Sequence, residues 1–158
     1  MPSVVILDTG PLSNVAVPFA KAGNIPTLSE ECRQWIRDCE QSGAVLLVPG
    51  ICYYEALREL ERRKAMGKIR RLQEFLFSVP SRFIPLTTAH LEAAARMWAT
   101  ARNTGIPTAS DDALDADVIL CAQVLSLGLS SPDYIVATTN VGHLSRFVPC
   151  EHWTNIKP

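Results

Sequence analysis

The sequence lacks the features of membrane proteins and of disulfide-bonded secreted proteins. Its 158 residues contain no apolar run near the ~18–20 residues that a membrane-spanning helix needs. No basic segment followed by a long apolar stretch opens the chain, so we expect no secretory signal and a cytoplasmic location. The five cysteines are scattered, odd in number and never spaced C-x-x-C, which supports neither a zinc knuckle nor a disulfide framework.

Net charge and internal repetition are also small. The formal charge is −1, so no global positive field attracts nucleic acid, and such a contact would need a local patch. We find no repeat, low-complexity tract or interdomain linker. The chain is 47% apolar with a mean hydropathy of +0.11, which suits a well-filled core. We therefore expect one domain over residues 1–158.

Short β-branched runs alternate with helical patterns along the chain. Five runs are typical of strands, the last only weakly: Val4–Leu7, 44–48, 82–85, Tyr134–Thr138 and 152–154. Helical patterns cover Leu28–Gln41, 51–64, 69–78, Thr88–Asn103, 114–127 and a short turn at 141–145, with polar loops at 17–26 and 106–112. This alternation predicts an α/β fold whose mostly parallel, about five-stranded sheet is covered by helices on both faces.

Several polar residues fall where strands end or the following helices begin. Asp8 follows the first strand directly, and Gly10-Pro11 after it predicts a turn. Glu55 lies one turn into the helix after the second strand, Asp117 near the start of an apolar helix, and Asn140 after the fourth strand. Parallel strands end at one edge of a sheet, where ligands bind in open α/β folds. We therefore expect these four side chains to converge.

Carboxylates that share a cleft favour a particular chemistry. They repel one another and cannot all remain ionised without help. A divalent cation resolves the conflict, and Mg²⁺ or Mn²⁺ prefers such hard oxygen ligands. Since the predicted rim has no His or Cys ligands, it favours a Mg²⁺/Mn²⁺ phosphodiesterase over a zinc hydrolase.

Four motifs in order carry a family resemblance: ILDTGPLSN, PGICYYEALREL, DALDADVILCAQVL and IVATTNVGHL. Together they resemble the PIN-domain family, and most of all the VapC-like toxins of bacterial toxin–antitoxin pairs, over nearly the whole chain. The resemblance implies a five-stranded parallel sheet with helices on both sides. It also implies a Mg²⁺- or Mn²⁺-dependent endoribonuclease that acts on single-stranded or structured RNA, and it suggests an antitoxin partner.

The resemblance also assigns site residues. Asp8, Glu55 and Asp117 match the family acids and are the predicted catalytic residues. Asp115 resembles an auxiliary acid, so the predicted metal ligands are Asp8, Asp117 and Asp115. Asn140 matches the asparagine after the fourth strand.

Two further features concern the surroundings of these acids. Thr9 and Thr139 are predicted to support the site beside Asn140. Three residues beyond Asn140, His143 stands where the family often has an acid. We therefore expect a second metal to bind weakly, or only with RNA present.

Each acid also has a purely structural explanation. Asp8 could form an Asx turn, and Glu55 could belong to a solvated helix face. Asp112 and Asp115 could cap a helix or complement its dipole. Asp117 differs because apolar residues follow it, and a buried acid needs a partner or an ion.

A basic cluster stands in the middle segment. We predict RNA contacts for Arg58, Arg62 and Arg63, with a solvated helix face as the alternative. Tyr53 and Tyr54 could stack on a base or pack in the core.

Apolar residues in the middle helices suggest a docking face. Leu72, Phe75, Leu76 and Phe77 are predicted to seat a homodimer partner or an antitoxin segment. Two other functions stay open beside the endoribonuclease. One is a catalytically weak or inactive PIN-like protein that binds RNA or acts as a scaffold, and the other is a small phosphatase of unrelated origin.

Overall fold

A parallel sheet built around the first strand of the chain organises the structure. The computed structural model describes residues 1–19, 23–105 and 111–158, and of residues 111–113 the backbone alone. The described strands are β1 (Val4–Leu7), β2 (Val45–Pro49), β3 (Phe83–Ile84), β4 (Tyr134–Thr138) and β5 (Cys150–His152). Their order is β3-β2-β1-β4-β5 and every neighbouring pair is parallel, which confirms the predicted sheet.

Helices cover both faces of this sheet and give the predicted three-layer α/β/α architecture. They are α1 (Thr9–Ser13), α2 (Leu28–Gln41), α3 (Gly50–Arg62), α4 (Met66–Phe77), α5 (Thr88–Asn103), α6 (Asp111–Leu125) and α7 (Val141–Leu144). Short 3₁₀ turns cover Asn14–Ala16 and Trp153–Asn155. Within the described ranges, no helix is long and apolar enough to cross a membrane.

Local capping explains why two helices match their predicted bounds. The Thr27 hydroxyl accepts a hydrogen bond from the Glu30 amide (3.3 Å), and the Glu30 carboxylate accepts one from the Thr27 amide (2.9 Å). This capping box begins α2, and Gly43, with φ +91°, follows its end. Thr87 and His90 form the same reciprocal pair at the start of α5.

The prediction that only a turn follows Asp8 was wrong. The chain instead enters α1 directly, because the Asp8 carboxylate accepts the Thr9 amide at 2.7 Å and caps the helix. Pro11 is tolerated there because its missing N–H lies in the first turn, where amides have no helical partner. Part of each predicted loop, residues 20–22 of 17–26 and 106–110 of 106–112, lies outside the described residues.

Strand β1 lies in the centre of the hydrophobic core. Val5, Ile6 and Leu7 are each 0% exposed, as expected for a central parallel strand buried on both faces. The core also takes up Leu72 and Leu76, which are 0% exposed, so the prediction that they face a partner is wrong. Of that predicted apolar face, Phe77 is exposed. All five cysteines are free, and four of them are buried.

Candidate functional site

The strand order creates a cleft at the carboxyl ends of β1 and β4. From β1 the chain builds β2 and β3 on one side, then returns to place β4 and β5 on the other. Such a change of direction is the point where open α/β sheets bind ligands. Asp8 follows β1 and Thr138 ends β4, so both lie at this point.

The Asp8 carboxylate is held by donors on both oxygens. Oδ1 accepts the Thr9 amide at 2.7 Å and lies 3.7 Å from the Cys52 thiol, which donates to it. Oδ2 accepts the Thr138 hydroxyl at 2.7 Å. Thr138 is 0% exposed, and its hydroxyl oxygen in turn accepts a hydrogen bond from the backbone amide of Asn140 at 2.9 Å. Asp8 therefore caps α1 and is also fixed in one orientation at the cleft.

Glu55 is tied to the same group of side chains through Thr9. The Thr9 hydroxyl donates to Glu55 Oε1 at 2.9 Å, while Arg58 lies 3.5 Å from Oε2. One residue, Thr9, thus contacts both predicted acids, through its amide to Asp8 and its hydroxyl to Glu55. The structure therefore brings Thr9 together with both predicted acids.

Asp117 completes the acidic group from α6. Burial raises the pKa of its carboxyl to about 6, and repulsion from Asp8 and Glu55 adds to that increase. His143 opposes the increase, and its Nδ1 lies 3.6 Å from the Asp117 carboxylate. The three predicted catalytic acids therefore lie close enough to influence one another electrostatically.

The side chains of the two residues after β4, Thr139 and Asn140, lie against α1 and His143. The side-chain amide nitrogen of Asn140 lies 3.1 Å from His143 Nδ1 and orients that ring. Thr139 is exposed and lies over α1. A methyl group at Gly10 would come within 2.7 Å of the Thr139 hydroxyl, so only glycine fits there without a shift of that side chain.

Asp115 is not brought to this group. It is exposed and lies with Leu91, Trp98 and Val118 along an apolar groove between α5 and α6. The reason is helical geometry, because residues two apart point about 200° apart around the axis. The predicted set of metal ligands therefore loses Asp115. The side chain of Asp112 lies outside the described residues.

The predicted RNA-contacting arginines lie at the rim of the cleft and are paired with acids. Arg62 and Arg63 bind the Glu59 carboxylate at 2.6 and 2.9 Å. These contacts, that of Arg62 foremost, lower the pKa of Glu59 to about 2. Arg58 pairs with Glu55 and lies over the Tyr54 ring at 5.3 Å.

A cavity extends from Glu55 to this rim. Its volume is about 380 Å³, and its lining includes Thr9, Glu55, Arg63 and Lys68. Tyr53 and Tyr54, for which both base stacking and core packing were open, differ: Tyr53 packs against Phe77 and Phe83, whereas Tyr54 is exposed.

The donor set fits a hard, hydrated cation. In residues 1–19, 23–105 and 111–158, no three His, Cys, Asp or Glu side chains are close enough to hold a metal ion on their own. Mg²⁺, however, usually takes one or two carboxylates and keeps several waters. Asp8 and Asp117 offer such oxygens, and a cation would relieve their repulsion. Burial raises the pKa of the nearby Cys52 thiol, which favours the protonated form that donates to Asp8.

Sequence reasoning left Cys52 out of the predicted site. It considered Thr138, the last residue of a buried strand, both as a strand-edge hydroxyl that could help the site and as an ordinary strand residue, and did not include it among the predicted site residues. Cys52 gives no sequence signal, because a cysteine near the start of a helix is ordinarily a small core residue.

Comparison with solved structures identifies the fold. A chain of VapBC-1 from nontypeable Haemophilus influenzae matches with a TM-score of 0.64 at 16% identity, covering 96% of this chain and 99% of that one. VapBC2 from Rickettsia felis, bound to a DNA fragment from their promoter, matches with a TM-score of 0.65 at 12% identity, covering 95% and 98%. The protein has a PIN-like fold.

FitAcB from Neisseria gonorrhoeae has the same PIN-like fold, with a TM-score of 0.61, 17% identity and coverage of 96% and 99%. The predicted likeness to VapC-like proteins is thereby confirmed at the level of the fold. No protein-family model matches the sequence, and a search of curated proteins found no match.

Proposed function

We propose that this protein is a Mg²⁺- or Mn²⁺-dependent endoribonuclease that hydrolyses RNA phosphodiester bonds. The observation that carries the proposal is the juxtaposition of Asp8, Glu55 and Asp117 at the switch point of a PIN-like sheet. Burial and mutual repulsion raise the pKa of Asp117, so this cleft favours a positive charge placed among the three acids.

Two acids would bind the cation, and neighbouring side chains would fix the orientation of the acids. Asp8 and Asp117 would hold the cation, with Glu55 beside them; when bound, the cation offsets the charge of the phosphodiester and activates water. Thr138 and the Thr9 amide fix the Asp8 oxygens, so that Asp8 needs no rearrangement on binding. The Thr9 hydroxyl and Arg58 fix Glu55 in the same way.

Cleavage of a panel of single-stranded and structured RNAs in Mn²⁺ tests this function. We expect Asp8→Asn to abolish cleavage. Asp115→Asn is the matched control, because Asp115 lies on the same helix as Asp117 but outside the acidic group. Cleavage that survives Asp8→Asn would eliminate the site assignment.

One observation favours a second function. His143, at 3.6 Å from Asp117, occupies space beside the carboxylate that a cation would use. The alternative is a PIN-like protein that binds RNA without cutting it. It would be supported if RNA binding persists while neither Mg²⁺ nor Mn²⁺ gives cleavage, and if His143→Asp then restores cleavage.

The basic rim is proposed to contact RNA phosphates. Arg62 and Arg63 share the single carboxylate of Glu59, so the three side chains together carry one net positive charge. Arg58→Ala and Arg63→Ala should therefore weaken RNA binding, and the dependence of binding on salt should become shallower. Equal salt dependence in the variants and the wild type would refute these contacts.

The toxin role and the partners are also proposals. The sequence resembles VapC-like toxins, and two of the matched structures are VapBC proteins. We therefore expect a small upstream gene to encode an antitoxin that copurifies with this chain and suppresses its activity. A homodimer is expected as well, with exposed Phe77 as a contact, and sedimentation of the wild type and Phe77→Ser tests it.

A further inference from the structure

Three arginine side chains line a second cavity, next to Val15 in the Asn14–Ala16 turn. Arg33 and Arg37 come from α2 and Arg71 from α4, and the cavity has a volume of about 310 Å³. No predicted catalytic or metal-binding residue is part of its lining. The cluster therefore requires an explanation of its own.

The carboxylates at this cavity do not balance its positive charge. Glu40 and Glu74 line it, but Glu40 is already bound to the buried Arg82. Among the described residues, no carboxylate lies within 4.0 Å of the three cavity arginines. With Glu40 neutralised, three guanidinium groups face one carboxylate, that of Glu74, which leaves an excess of two positive charges.

The arginines are also held in place. Arg33 donates a hydrogen bond to the Val17 carbonyl, and Arg71 Nε donates to the Ala16 carbonyl at 2.7 Å. The Phe19 ring lies 3.6 Å from the Arg33 guanidinium carbon and 4.0 Å from that of Arg37. Burial lowers the pKa of Arg33, and repulsion from Arg37 and Arg71 adds to the effect. Like charges are thus fixed together, so an incoming anion would find them already oriented.

We propose that this cavity binds a phosphate group. A phosphate dianion matches the excess of two charges, and its oxygens can accept from guanidinium groups that approach from two helices. A single carboxylate would neutralise only half of the excess. The phosphate could be a free inorganic anion or the 5′-terminal phosphate of an RNA strand, which present the same chemistry. The proposal does not depend on the endoribonuclease activity, because the cavity and the acidic cleft share no lining residue that either function uses.

Calorimetric titration with inorganic phosphate tests the site. The buffer contains EDTA, so no divalent cation can recruit phosphate to the carboxylates. We expect saturable binding to the wild type and a loss of affinity of about tenfold in Arg37→Gln and in Arg71→Gln, since each removes a charged hydrogen-bond donor. The matched control is Arg70→Gln, because Arg70 is exposed beside Arg71 on α4 and does not line the cavity.

The Arg37→Gln variant should fold like the wild type. Arg37 is exposed and forms no hydrogen bond to any described residue, so its replacement should leave the circular dichroism spectrum unchanged. The Asp8→Asn variant should bind phosphate as the wild type does, whether or not the protein proves to be a nuclease.

Further titrations distinguish the sources of the phosphate. Tighter binding of a 5′-phosphorylated oligoribonucleotide than of its 5′-hydroxyl form, lost in Arg37→Gln, would assign the site to an RNA end. Equal binding of both RNAs together with binding of inorganic phosphate would assign it to the free anion. The proposal is overturned if the wild type binds no phosphate, if Arg37→Gln and Arg70→Gln bind it equally, or if a glutamate-rich peptide binds while phosphate does not.

Discussion

The hydroxyl of Thr138 should matter more to stability than any other single hydroxyl at the cleft. It is buried at 0% exposure, donates to the Asp8 carboxylate at 2.7 Å and accepts the Asn140 amide at 2.9 Å. Thr138→Val keeps the shape of the side chain and removes both bonds. A hydrogen bond to a charged group contributes about 1.5–3 kcal/mol and a neutral one about 1 kcal/mol, so we expect a loss of about 3 kcal/mol.

Urea denaturation in EDTA, followed by far-ultraviolet circular dichroism, measures this loss. Thr138→Ser keeps the hydroxyl and should cost only about 1 kcal/mol for the buried methyl group. Thr139→Val is the matched control, since Thr139 is exposed, and should stay within about 0.5 kcal/mol of the wild type. If Asp8 is the partner, Thr138→Val should cost less in an Asp8→Asn background than in the wild type.

The reasoning would be refuted if Thr138→Val costs no more than Thr139→Val. It would also fail if the effect of Thr138→Val is the same with and without the Asp8 carboxylate. Either result would mean that the Thr138–Asp8 hydrogen bond does not hold the cleft together in solution.

Three other substitutions test the same region. The pKa of Asp117 is about 6 against an ordinary 3.8, so the folded state favours its protonated form and wild-type stability should fall as the pH rises from about 4 to about 6. Asp117→Asn should remove that fall and stabilise the metal-free protein by about 3 kcal/mol at pH 7.5, and no gain in urea denaturation would contradict this. Gln123 is 0% exposed and bonds the Ile51 amide at 3.1 Å and the Ile84 carbonyl at 2.9 Å, so Gln123→Met should cost about 2–4 kcal/mol, and a loss under about 1 kcal/mol would count against it. Gly50→Ala would place a methyl 3.1 Å from the Ile84 carbonyl oxygen and should lower the melting temperature, whereas an unchanged value would show that the backbone there yields freely.

Much of the architecture could be predicted because local and long-range signals agree. The strands Val4–Leu7 and Tyr134–Thr138 and the helices Leu28–Gln41 and Thr88–Asn103 match to the residue. Buried central strands have continuous apolar runs, and capping boxes mark where helices begin. Edge strands gave weaker signals, since β3 has two residues and β5 begins two residues before the predicted 152–154.

The acidic cleft was predictable in outline but not in its contacts. Parallel topology alone brings Asp8, Glu55 and Asp117 to one edge. The misplacement of Asp115 arose from following the family pattern instead of the helical period, which places residues two apart on different faces. The arginine cavity could not be predicted, because its members come from separate segments and each resembles an ordinary surface charge.

The pairing of the first strand with the fourth has a consequence for biosynthesis. The hydroxyl that fixes the Asp8 carboxylate comes from a residue 130 positions later in the chain. A nascent chain whose fourth strand is still inside the ribosomal tunnel therefore exposes β1 without its neighbour and Asp8 without its donor. The complete cleft can therefore form only after the fourth strand has left the tunnel.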